Sequence, residues 1–111
     1  MQSQSLTDLA AEQLSAARTA SSGRASHTVY GGHDRDLRQT LIALAAGNAL
    51  AEHEAPGEAT LQVLLGTVRM NAGAESWTGQ VGDHLPIPPM RHDLVAETDA
   101  VVLLTVAARA S

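Results

Sequence analysis

The chain has 111 residues, a formal charge of −5 and 44% apolar residues, enough for one domain with a real core and too little for a second. It has no cysteine, which excludes a disulfide framework, a thiolate metal site and a cysteine nucleophile. Its seven positive side chains are all arginine and are scattered (Arg18, Arg24, Arg35, Arg38, Arg69, Arg91, Arg109), so no basic stripe exists for nucleic acid or an anionic membrane.

Residues 6 to about 18 place Leu6, Leu9, Ala10, Leu14 and Ala17 on one face at helical spacing, with Asp8 and Glu12 early and Arg18 late. Ser5 is the expected N-cap, and Ser21-Ser22-Gly23 the expected stop. Such an amphipathic helix must lie on an apolar surface, either on its own domain or across a dimer. Ala25 to Tyr30 reads as a short strand ended by Gly31-Gly32, and the mixed charges of 33–36 read as a solvated loop. His27 and His33 are read as surface or edge residues.

Leu37 to Ala46 is strand or helix on periodicity alone, because the apolar run is continuous after Thr40. If extended, it puts Gln39, Leu41 and Ala43 on one face and Thr40, Ile42 and Leu44 on the other. A second strand-like run, Ala59 to Leu65, follows the Pro56-Gly57 turn. Alternation carries His53 and Ala55 to one face, then Ala59, Leu61, Val63 and Leu65, and leaves Glu52, Glu54 and Glu58 outside or in the turn. A slip or bulge at Glu58 would turn that carboxylate inward. Val68 to Met70 leads into a hairpin turn at Asn71-Ala72-Gly73-Ala74 and a strand carrying Trp77, the one large ring, read as a filler of core or interface. The prolines at 86 and 88 put the stretch from His84 at a sheet edge or rim, with His84 outward. His92, Leu94 and Ala96 alternate against Asp93, Val95 and Glu97, and Ala100 to Ala107 reads as a closing strand buried on both faces.

In the stretch from Gly47 to Gly66, a glycine, five residues, His53 and the closing glycine resemble the first cupin motif. Gly82, five residues, Pro88 and then His92 resemble the second, with no glycine near Met90 and the spacing one residue short. The resemblance covers about residues 37 to 107 and makes 37–46 a strand. It implies a mainly β chain: a cupin-type double-stranded β-helix, or jelly-roll barrel, with an N-terminal α-helix. The helix and its linker would take residues 1–24 and the barrel 25–111, with motif 1 at 47–66 and motif 2 at 82–97.

Metal-binding cupins hold a divalent ion with two histidines and a glutamate of the first motif and one histidine of the second. Carried over, only His53 and His92 remain as metal ligands, because the other two positions hold Ala55 and Ala59. A catalytic metal generally needs about three protein ligands, so occupancy would require Gln39, Glu58 or another group. The cavity candidates are therefore His53, His92, Ala55, Ala59 and Gln39. No catalytic residue is assigned and no cofactor is expected, a divalent metal being the alternative. The functional expectation is a small-molecule-binding or accessory cupin, with a metal-dependent oxygenase or isomerase as the competing reading.

The first residues carry no basic segment followed by an apolar core, which makes a soluble cytoplasmic protein the expectation. A homodimer is also expected. Residues 37–46 and 100–107 are apolar on both faces, and a helix of about 20 Å cannot cover both strands. Leu44, Val102 or Leu104 would lie near the contact.

Overall fold

The computed structural model describes residues 1–54 and 57–107. The helix α1 spans Leu6–Thr19, capped at its start by the Ser5 hydroxyl, which accepts from the Asp8 amide. Nine strands follow: β1 (Arg24–Tyr30), β2 (Leu37–Leu44), β3 (Ala49–His53), β4 (Glu58–Leu65), β5 (Val68–Ala72), β6 (Glu75–Gly79), β7 (His84–Pro86), β8 (His92–Ala96) and β9 (Ala100–Ala107). They form two antiparallel sheets, one ordered β1-β2-β9-β4-β7 and the other β3-β8-β5-β6. The edge position expected for the proline-bearing segment is that of β7.

The sheets face one another because each presents an apolar set at period two. Leu44, Leu61, Val63, Ala100 and Val102 of the first sheet pack with Val68, Met70, Leu94 and Ala96 of the second, and Ile42, Leu50, Trp77, Leu85 and Leu104 close round them. Trp77 is thus a core filler, and its ring lies across Gly79, where a Cβ would stand 2.2 Å from the indole. On the other side of the five-stranded sheet, Ala10, Leu14 and Ala17 of α1 cover Leu41, Ala43 and Val101. Full burial of a leucine such as Leu41 contributes on the order of 2 kcal/mol, so this second cluster fixes the helix to its own sheet. The helix accordingly packs within its own chain.

Three expectations need correction. Leu44 and Val102 are each 1% exposed and Leu104 packs beside them in the space between the sheets, so none of the three can centre a dimer contact. The outward set of the same strands is Leu41, Ala43 and Val101. Leu65 does not join the inward set of β4 either, because a bulge pairs Val63 with Val102 but Leu65 with Val101. Leu64 meets the helix cluster, as alternation from Val63 requires, and the extra residue leaves Leu65 exposed. The strand β5 also runs through Asn71 and Ala72, which narrows the expected turn to Gly73 and Ala74.

The closing glycine of the first motif has a steric reason. Gly66 has φ +74, and a Cβ there would lie 2.0 Å from the Asp99 carbonyl oxygen. The turn before β9 can therefore sit directly on the end of β4.

Candidate functional site

His53 ends β3 and His92 opens β8, and the two are direct partners in the ladder. A bulge brings this about. Leu50 pairs with Leu94 and His53 with His92, so three steps along β3 match two along β8. Without the extra residue, alternation would set Glu52 opposite His92 and turn His53 away. The ring centroids are 4.5 Å apart at an interplanar angle of 61°, an edge-on contact. His92 is 3% exposed, whereas His53 is exposed, so one ring belongs to the interior and the other forms its rim.

The tautomers follow from the backbone. Each Nδ1 lies 2.9 Å from the carbonyl oxygen two residues earlier, that of Ala51 for His53 and of Met90 for His92. A carbonyl only accepts, so each Nδ1 carries a proton, and in the neutral form of either ring the lone pair is on Nε2. The carboxylates nearest in sequence are engaged elsewhere: Arg91 Nε donates to Glu52 at 3.1 Å, and Arg91 Nη1 lies 4.0 Å from Glu54. Asp93 accepts from Asn71 at 2.8 Å. Glu58 is exposed and is not turned inward.

The other expected residues are not all brought to this pair. Ala59 faces the interior at 6% exposure and offers no donor atom. Ala55 lies outside the described residues. Gln39 shares its strand face with Leu41 and Ala43, away from the interior cluster, and donates to the Thr105 hydroxyl at 3.2 Å. Among the described residues no group of three or more histidine, cysteine or acidic side chains is arranged to hold a metal ion. Two imidazole lone pairs fit a metal only in part, short of the three protein ligands usual for a catalytic ion.

A cleft of about 330 Å³ opens between the edge strands β1 and β3, lined by Ser22, Arg24, Ser26, Thr40, Ile42 and Leu50 as well as Ala25. Neither histidine lines it. Its signal was present as the polar half of an alternating strand, Arg24, Ser26 and Thr28, which ordinarily reads as a solvent face. Here Ala25 and Val29 are the half that meets the helix.

No protein-family profile matches the chain, and no curated protein does. Solved structures do. A cupin superfamily protein from Desulfitobacterium hafniense superposes with a TM-score of 0.71 at 18% identity, over 78% of each chain. An RmlC-like cupin from Desulfovibrio desulfuricans gives 0.67 at 25% identity, over 77% of this chain and 82% of the other. A variant of salicylate 1,2-dioxygenase from Pseudoaminobacter salicylatoxidans gives 0.72 at 27% identity, over 92% of this chain but 33% of the enzyme. With two facing antiparallel sheets, both motif histidines paired across the ladder and these likenesses, the chain belongs to the cupin superfamily.

Proposed function

We propose that this cupin is a small-molecule-binding or accessory protein without a complete metal centre. The observation that carries the reading is the donor count: His53 and His92 present two Nε2 lone pairs, and the family's glutamate position is Ala59, an interior methyl group. Next to His92 the inward side chains of β8 and β5 are Leu94, Met70 and Ala72, which suits an apolar ligand better than a hydrated ion.

The competing reading is a metal-dependent oxygenase or isomerase. It is favoured by the tautomers, since both rings hold their protons on Nδ1 and keep Nε2 available, and by the likeness to a salicylate dioxygenase. Elemental analysis of protein purified without an affinity tag separates the two. The first reading expects metal well below one ion per chain. Near-stoichiometric iron, manganese, nickel or zinc that disappears in both His53→Ala and His92→Ala would overturn it.

The chain is also proposed to work as a homodimer through the outer face of the five-stranded sheet. The helix lies over β1 and β2, and beyond it a groove of about 670 Å³ is bounded by Leu37, Thr60, Pro86, Thr105 and Ala107 among others. Leu37 is 47% exposed there. A second copy is the occupant that a twofold contact supplies without any other partner.

A further inference from the structure

The cleft between β1 and β3 has the composition of a binding site for an amphipathic anion. Its cationic end is Arg24, the first residue of β1. The turn before it is fixed because Gly23 has φ +69 and packs so closely on Asn48 that a Cβ would stand 2.3 Å from that side chain. The Ser22 hydroxyl donates to the Arg24 carbonyl at 3.3 Å, and the Ala45 amide to the Gly23 carbonyl at 2.8 Å. The base of the arginine is thereby held on both sides. Arg18, Arg69 and Arg91 are paired with Asp99, Glu97 and Glu52 respectively, and Arg38 donates to the Arg35 and His33 carbonyls. Arg24 makes no ion pair and no side-chain hydrogen bond among the described residues. Ser26 follows it on the same face of β1, directly across from Ile42, and Thr40 and Leu50 complete the lining.

A planar guanidinium next to a hydroxyl recognises an oxyanion such as a carboxylate by charge-assisted hydrogen bonds. The aliphatic lining gains only from a ligand that also carries an apolar body. A volume of about 330 Å³ is at the small end of ligand sites and suits a small ligand. We propose that this cleft binds a small monocarboxylate with an apolar body, its carboxylate on Arg24 and Ser26 and its body on Ile42 and Leu50. The proposal deepens the reading of the chain as a small-molecule binder by naming a place and a ligand class. It does not depend on the metal content at His53 and His92.

The test is a titration of the isotope-labelled protein followed by amide resonances, with benzoate and 3-methylbutanoate as probes and benzamide and inorganic phosphate as controls. At millimolar concentration at least one carboxylate is expected to move the amides of Ser26, Thr40 and Leu50, with benzamide and phosphate at least about tenfold weaker. Arg24→Gln, a change at an exposed position, should weaken the carboxylate about tenfold or more while the spectrum stays folded. Arg35→Gln, outside the cleft, should bind as the unaltered protein does, and Ser26→Ala should lose a smaller part of the affinity. The proposal is overturned if neither carboxylate moves these amides, if Arg24→Gln binds unchanged, or if benzamide or phosphate binds as well as the carboxylates. Metal analysis of the same sample reads the preceding proposal separately, so either can fail alone.

Discussion

Arg18 in the last turn of α1 donates through Nε to Asp99 Oδ2 at 2.7 Å, joining the end of the helix to the turn that precedes β9. The other oxygen of Asp99 accepts from the Ala46 amide at 2.8 Å, so one carboxylate ties the helix, the end of β2 and the start of β9 together. The Ala46 amide first, and the Arg18 guanidinium second, hold this carboxyl below its ordinary value of 3.8. A carboxyl lowered in the folded state adds stability above the unfolded value, and that stability is lost as pH falls through the lower folded value.

Asp99→Asn should therefore lower the unfolding temperature at neutral pH and flatten its fall below about pH 4. Thermal unfolding of both proteins across the acid range checks this, the difference between the curves isolating Asp99 from the other carboxylates. Parallel curves would show that the carboxyl is not held by the fold.

The histidine pair should behave asymmetrically. His92→Ala removes a buried ring and its bond to the Met90 carbonyl, and should cost about 1–3 kcal/mol. His53→Ala changes an exposed rim and should stay within about 0.5 kcal/mol. Equilibrium urea unfolding measures both. Equal losses would mean that His53 is covered in solution.

Much of the fold was legible because its signals are local. The Ser5 cap, the spacing of Ala10, Leu14 and Ala17, and the edge prolines each act within a few residues. Alternation also separated Leu41 and Ala43 from Ile42 and Leu44 correctly. It could not say which pair faces inward, because both are apolar, and the outcome depends on α1 covering Leu41 and Ala43. Bulges limited the reading further: Leu65 is turned out by one, and His53 is brought opposite His92 by another. An extra residue in a ladder leaves no mark in the hydrophobic pattern of its own strand. The cleft at Arg24 was hidden for a related reason, since a polar half-strand looks the same facing bulk water or a gap between sheets.

Ala59→Glu tests whether the barrel is a cupin metal site that lacks only donors. Ala59 is 6% exposed on the interior face of β4 and stands at the family's glutamate position. A carboxylate placed there without a partner should destabilise the protein by about 2–4 kcal/mol. Added manganese or zinc should restore most of the loss by binding the native state alone, and adding His92→Ala should abolish the rescue. A folded Ala59→Glu protein with no response to metal would mean that position 59 and the two imidazoles do not share one site.

The homodimer can be tested through the same distinction between the faces of β2. Leu37 lies on the outer face in the groove that α1 does not reach, and Leu44, seven positions on, lies on the inner face at 1% exposure. A charge at Leu37 leaves the core intact but puts two like charges near a twofold axis, where contacts are repeated in both copies. A charge at Leu44 must instead be buried among Val63, Val68 and Val102 without a partner. The unaltered chain should sediment as a dimer at micromolar concentration. Leu37→Glu should sediment as a folded monomer with a similar unfolding temperature, whereas Leu44→Glu should fail to fold. A monomeric mass for the unaltered chain would end the proposal. A Leu37→Glu protein that remains dimeric would move the contact away from this groove, to the exposed edges of β1 and β3 or of β6 and β7.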